Sequence, residues 1–381
     1  MRAPITRGPS PSAGTSGKRT PSDRENRIGL RRKVSDPPPQ EGPDMLNSVI
    51  SETIAGTVLG GDDAGHGQPF VEGEGFVPLS FFVDRLETLR QRSEGGLYAW
   101  TVGEIFTFDM LGDLGEIIAC APTLGHAMRQ LAQGLPMLQS GAETSFTVID
   151  DEARLSYRVL DPEIWPRRGD AEITLSLAQN ICMRFGMPRG ALRQVGLEYV
   201  PDRDPSECAR HLRVMPRFDQ TENYVAFPAR FLSNPSVTGS AGTQEFSERS
   251  RALLDRLSRR QSRLATGELV RARILRHIGR GSLGQASIAS ELGMSDRSLR
   301  RKLSVEATSY HDILEECRRA QGEALLTRTE RSLGDIAHAL GYSDQTAFSR
   351  AFSRWFSMCP SEIRKSARQP AAGDLRPGLA G

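Results

Sequence analysis

Apolar residues recur along the 381-residue chain with two different periods, and the changes of period divide it. In Pro78–Gln91, Phe81, Phe82, Leu86 and Leu89 form a helical stripe that buries one face. Phe108–Leu138 carries two more helical patterns broken at Pro122. Thr123 is placed to cap the second, whose buried stripe is Leu124, Ala127, Met128 and Leu131. The period then becomes two. Thr144–Asp151 and Ala153–Asp161 alternate apolar and polar residues around an acidic turn, which predicts a hairpin. Asp170–Gly186 returns to a helical period, Arg193–Asp202 predicts a strand, Pro205–Met215 a short helix, and Asn223–Pro228 another strand. Helices interleaved with hairpin-linked strands predict an α+β domain over 77–237.

Asn234–Gln244 is rich in Ser, Gly and Thr, and the sequence predicts a flexible linker over 238–267. Beyond it alternation disappears, so 268–368 is expected to be all helix and turn. Residues 1–44 are rich in Pro, Ser, Gly and Arg with almost no large apolar side chain, too little to offset the entropy of ordering. They are expected to be a disordered extension, which either adds nonspecific positive charge or lies upstream of a start at Met45. Gly60–Gly75 is a second loose stretch, and 369–381 a disordered tail.

The carboxy-terminal block repeats itself. Ser287–Asp296 (SIASELGMSD) is echoed by Asp335–Asp344 (DIAHALGYSD), with Ile288, Ala289, Leu292, Gly293, Ser295 and Asp296 matched by Ile336, Ala337, Leu340, Gly341, Ser343 and Asp344. Ile and Leu four apart face a core, and the small Ala admits a crossing helix. The Gly takes the left-handed conformation of a tight turn, and the Ser caps the next helix. Each copy thus spells helix, turn, capped helix, the helix-turn-helix plan. In the first capped helix Leu299 and Leu303 are expected inside, with Arg297, Arg300 and Arg301 outside, where three arginines would repel without a counter-charge. In the second, Ala347, Phe348, Ala351 and Phe352 are expected inside, with Gln345, Thr346, Ser349 and Arg350 outside. Such side chains read base edges in a major groove, Arg pairing guanine and Gln adenine. Glu268–Gly279 predicts a supporting helix. Ser309–Leu326 predicts a rod of about 27 Å, comparable to the ~34 Å between successive major grooves on one face of DNA.

Charge supports this division. Residues 249–368 hold 23 Lys/Arg against 13 Asp/Glu, 45–248 hold 16 against 28, and 1–44 hold 9 against 5. A basic block beside an acidic one is the footprint of a domain that meets a polyanion, although charge alone leaves an ordinary solvated face open. The five cysteines are scattered without CxxC spacing, which suits a reducing cytoplasm and argues against disulfides and zinc. The six histidines lack metal-ligand spacing, so neither a metal nor a cofactor is expected. No run of about 18 apolar residues occurs, so no membrane association is expected, and the amino terminus lacks the apolar core of a secretory signal. No catalytic constellation is found, so the chain is not expected to be an enzyme. The single GxGxxG match, Gly279–Gly284, follows a predicted helix instead of a strand, and Asp150–Asp151 sit in a predicted turn.

Leu333–Lys365 resembles the signature of the AraC/XylS family of bacterial transcription regulators. Gly341, Phe348, Arg350, Phe352, Pro360 and Arg364 stand where that pattern expects them, and Ser357 replaces a Gly common at a helix end. The resemblance implies double-stranded promoter DNA and RNA polymerase as partners, and leans towards activation. It implies Arg297, Ser298, Arg300 and Arg301 as readers in the first unit, and Gln345, Thr346, Ser349 and Arg350 in the second. There, backbone contacts often outweigh base reading. Leu114–Gly141 and Asn223–Pro235 resemble the arabinose-binding-type amino-terminal domain of a subset of these regulators. That implies a small-molecule effector and a homodimer; the alternative is a ligand-independent regulator whose first domain only dimerises. Trp100, Phe106, Tyr157 and Trp165 could line an effector pocket or belong to the core, and no effector-binding residue is assigned. An acidic domain would suit an amine, though net charge says little about one pocket.

Overall fold

The computed structural model describes residues 49–51, 54, 55, 58, 76–93, 97–236, 242–261 and 264–368. The extension 1–44, the loose stretch Gly60–Gly75 and the tail 369–381 lie outside the described residues. Strand β1 (Val49–Ser51) pairs antiparallel with β2 (Phe76–Pro78), so folded structure begins well before the expected boundary at Val77. Helices α1 (Leu79–Arg92), α2 (Tyr98–Ile105), α3 (Asp113–Ala119) and α4 (Leu124–Leu138) follow. Then come β3 (Ala142–Ile149), β4 (Glu152–Val159), α5 (Arg168–Arg184), β5 (Gln194–Gly196), α6 (Ser206–Leu212) and β6 (Asn223–Pro228). The second sheet is antiparallel in the order β3-β4-β6-β5, which makes this half the α+β domain that the alternation predicts. Its hairpin turns at Asp150, whose φ of 53° an aspartate tolerates better than most residues. Thr123 stands at the α4 N-cap, but its hydroxyl meets His126 Nδ1 at 2.9 Å and makes no cap bond to the backbone.

Helix α5 is the spine of this domain: every residue from Gly169 to Cys182 is buried, against α1, α2, β4 and β6. Its polar residues are therefore obliged to find partners. Asn180 Nδ2 donates to the carbonyls of Gly103, Glu104 and Phe106 at 2.8–3.1 Å, closing the end of α2. A Cβ at Gly103 would lie 2.4 Å from Ser176 Cβ, so only glycine lets α2 cross α5 this closely. Tyr157 donates to Asp170 Oδ2 at 2.5 Å, and Tyr199 donates to Glu172.

The expected linker is in fact mostly helix. Over Thr243–Gln261, α7 packs on α3 and α4, and its Phe246, Leu253 and Leu257 join the first core. These three residues lie seven and four apart on one face of an Arg-rich helix, a sparse stripe next to a Ser/Gly-rich approach. The second half contains α8 (Thr266–His277), α9 (Gln285–Glu291), α10 (Asp296–Val305) and α11 (Tyr310–Arg328). It closes with α12 (Leu333–Ala339), α13 (Gln345–Phe356) and α14 (Pro360–Arg368). Two small cores form here, one around Ile274, Ile288, Leu299 and Ile313, the other around Leu326, Ile336, Phe348 and Phe352. Helix α11 contributes to both.

The halves meet through a buried charge. Arg271 of α8 is 1% exposed, and its Nη2 lies 3.1 and 3.2 Å from the two oxygens of Asp161, just beyond β4. Leu160, beside it, packs into the first core of the helical half. Removing one member of such a pair strands the other, at about 3–5 kcal/mol. Arg271→Ala should lose about that much stability in chemical denaturation, and Asp161→Ala added to it should lose clearly less than the sum of the two single changes. Fully additive losses would show that the pair is not coupled.

Burial lifts the Asp170 carboxyl to about 6 and that of Glu172 to about 7, against hydrogen bonds from Tyr157, Gln139 and Tyr199 that favour the ions. The unfolded chain ionises both near the ordinary carboxylate values, about 4. Their contribution to stability is therefore complete below about pH 4 and is lost as the pH rises through about 6–7. Melting curves between about pH 5 and 8 should show this fall, and the pair Asp170→Asn and Glu172→Gln should flatten it.

Candidate nucleic-acid interface

In the first repeat, α9 ends in a turn where Gly293 has φ 66° and Met294 N–H returns to the Ala289 carbonyl at 2.9 Å. Ser295 then accepts from Ser298 N–H at 3.2 Å and starts α10. Leu299 and Leu303 are fully buried, which turns Arg297 and Arg301 outward, both exposed. Ser298 is half-buried beside them. Arg300 is exposed on the flank, with Nη2 2.6 Å from Asp296 Oδ2. A counter-charge is therefore present for one of the three arginines. Asp296 is steadied in turn by Gln285 Nε2 at 2.7 Å. Among the described residues no ion pair is found for Arg297 or Arg301 on this face.

The second repeat differs in one detail. Gly341 makes the same left-handed turn, φ 74°, but Asp344 and not Ser343 is the cap, accepting from Ala347 N–H at 2.8 Å. The Ser343 hydroxyl donates instead to Asp344 Oδ2 at 3.0 Å. The Ala347 N–H holds the Asp344 carboxyl below its usual range. Helix α13 consequently begins one residue later in the repeat than α10. Phe348, Ala351 and Phe352 are buried; Gln345, Thr346 and Arg350 are exposed, and Ser349 is half-buried on the flank. Two exposed positions outside the expected set share these faces. Val305 follows Arg301 by four residues, and Ser353 follows Arg350 by three, so helical spacing alone would have found them.

Helix α11 locks the two units together. Arg318 donates to the carbonyls of Leu340 and Gly341 at 3.0 and 3.3 Å and lies 4.8 Å over the Tyr342 ring. This places a cation at the carboxyl end of α12, where the dipole favours it. Glu315 receives Arg354 at 2.7 and 2.9 Å and the Trp355 indole N–H at 3.3 Å, which fixes α13. Arg364 donates to the carbonyls of Leu326 and Arg331 at 3.3 and 2.6 Å, a structural use of that signature residue. A Cβ at Gly279 would come within 2.6 Å of the Ala339 carbonyl oxygen, so the loop after α8 packs directly on the end of α12. The rod is 19 residues, or about 28 Å at 1.5 Å per residue.

Of the four candidate pocket aromatics, Trp100, Phe106 and Tyr157 are buried in the first core, whereas Trp165 is 39% exposed. Among the described residues no cluster of His, Cys, Asp or Glu could hold a metal ion, and no helix is long and apolar enough to cross a membrane.

Two family models match the chain. "Helix-turn-helix domain" spans residues 288–366, and "Arabinose-binding domain of AraC transcription regulator, N-term" spans 71–236. The ornithine utilization regulator of Pseudomonas aeruginosa is 28% identical over 273 residues, covering 70% of this chain and 77% of that protein. The HTH-type transcriptional regulator VirS of Mycobacterium tuberculosis is 26% identical over 295 residues, covering 76% and 85%. The crystal structure of the transcriptional regulator CdpR from Pseudomonas aeruginosa is 20% identical and covers 74% of this chain and 90% of its own, at a TM-score of 0.37, too loose a likeness to carry an argument.

Ser357 ends α13 with φ 55°, the left-handed conformation that costs a residue with a side chain about 1–2 kcal/mol. Ser357→Gly should therefore raise stability by about 0.5–1 kcal/mol, the gain being trimmed by the greater freedom of glycine in the unfolded chain. Thermal melting reads this directly, and a lower melting temperature would contradict it.

Proposed function

This chain belongs to the AraC family of helix-turn-helix transcription regulators, and from that premise we propose that α10 and α13 read two half-elements of a promoter under the control of a small molecule. The observation that carries the reading is the pair of capped helices with polar, outward faces, held on one rod. Arg297 and Arg301 supply the strongest recognition, because no ion pair is found for them among the described residues and a guanidinium pairs guanine through two hydrogen bonds. Ser298 reads beside them. Arg300, shared with Asp296, serves a phosphate more than a base. In the second unit Thr346 and Arg350 face outward most directly, with Gln345 and Ser349 at the edges. We assign DNA reading to 268–368 and effector response to 77–237 with its preceding strand.

The relatives are named as regulators, and one for the use of a small metabolite, which supports an effector-controlled regulator; the family resemblance leans towards activation. Contact with RNA polymerase, homodimer formation through the first domain, and a cytoplasmic site of action complete the proposal. Arg301→Ala should weaken specific promoter binding in a gel shift by about 1–3 kcal/mol and relax sequence preference at one position. Arg300→Ala should change the preference less. Unchanged affinity and preference in Arg301→Ala would remove α10 as the reading helix.

A further inference from the structure

A cavity of about 620 Å³ opens where the end of β4 meets the helical half, within the size range of small-molecule sites. Three parts of the chain form its wall. Arg158, Trp165 and Arg167 come from the α+β domain, Arg280 from the loop after α8, and Arg328 and Arg331 from the end of α11 and the turn into the second repeat.

The charge in this wall is unbalanced. Glu198 is taken by Arg167 through two 2.8 Å bonds. Glu143, just behind the wall, is shared by Arg158 at 2.9 Å and Arg280 at 2.8 Å. Of the residues that line the cavity five are arginines and two, Glu198 and Asp219, are carboxylates; Glu222 and Glu323 act on Arg158 and Arg328 from outside the lining. Arg328 is positioned by neutral groups: it donates to the Pro162 carbonyl at 2.9 Å and lies 5.0 Å from the Trp165 ring. Arg331 is exposed, and no side-chain ion pair is found for it among the described residues.

We propose that this cavity is the effector site and that it takes a small organic oxyanion, held by Arg328 and Arg331 with its body against Trp165. The inference rests on the effector-controlled reading above and names its site and ligand class. An oxyanion supplies the missing counter-charge through charge-assisted hydrogen bonds. Because the wall belongs to the sensing domain, to the end of α8 with its loop, to the rod α11 and to Ala339 of the second repeat, the anion has different contacts in any arrangement that moves one against another. That difference is what lets a ligand shift a conformational equilibrium. An amine, which the acidic composition of the first domain would suit, meets a wall in which arginines outnumber carboxylates, Glu198 and the nearby Glu143 being already paired with arginines.

The test uses the full chain and a panel of mono-, di- and tricarboxylic acids, phosphate esters and inorganic phosphate, with amines and neutral sugars as counter-panel. Melting temperature and calorimetry read binding, and promoter affinity reads response. At least one oxyanion should raise the melting temperature, the carboxylate and phosphate arms showing which kind. Its affinity should fall about tenfold or more in Arg331→Gln and in Arg328→Gln. Arg331→Gln removes no side-chain hydrogen bond or ion pair found among the described residues, so loss there cannot be put down to a broken polar contact at the junction. Equal binding by wild type and both variants, or no binding by any oxyanion, overturns the site. An amine or sugar that alters promoter affinity overturns it too, while leaving the effector-controlled reading intact. That reading fails separately if no compound of either panel changes promoter affinity.

Discussion

The guanidinium of Arg271 is almost fully buried and finds its main partner, Asp161, in the other half of the chain, with Glu163 at 3.3 Å and Glu316 at 3.9 Å. Burial works against the charge, but Asp161, Glu163 and Glu316 outweigh it and raise the group's pKa. A buried charge tolerates few arrangements, since moving it a few ångströms away from its partners leaves it unsolvated. Much of the rest follows from this constraint. Asp161 continues directly from β4, so the sheet register sets where α8 sits. Leu160 beside it completes the apolar cluster that also holds α9, α10 and α11.

The outward faces of α10 and α13 depend on a second set of restraints, the ones at helix ends. Left-handed Gly293 and Gly341 reverse the chain, Ser295 and Asp344 restart it, and Arg318 and Arg364 satisfy carbonyls at the ends of α12 and α11. These bonds orient α10 and α13 without using the side chains of Arg297, Arg301, Thr346 or Arg350. Two further contacts around the junction are of another kind. Arg280 with Glu143 and Arg319 with Glu163 are partly exposed pairs, each worth little in water, so they guide the approach of the halves without locking it. A rigid buried pair ringed by weak exposed ones suits a junction that can respond to a ligand.

Most of the helical half was legible in the sequence because its determinants are local. Helical spacing, a glycine where φ must be positive, and a capping side chain all act within a few residues, and the repeat at fixed offset displayed them twice. The same locality explains the hairpin and β6. The errors came where locality failed. Thr123 could cap α4 but bonds His126, a choice between two neighbours that composition does not decide. Helix α7 hid behind a Ser/Gly-rich approach because its three buried residues matter only once α3 and α4 are there to receive them.

The sequence by itself determined the two-part architecture, the duplicated turn chemistry and the side chains that face outward on α10 and α13, since each follows from periodicity and short-range bonding. Tertiary structure alone decided which charges remain unpaired. Three arginines on α10 looked equivalent until Asp296 took Arg300, and the acidic first domain suggested a cation until Glu143, Asp161 and Glu198 were found engaged with arginines. Charge pairing is set by distances between residues far apart in the chain, and net charge carries no information about those distances.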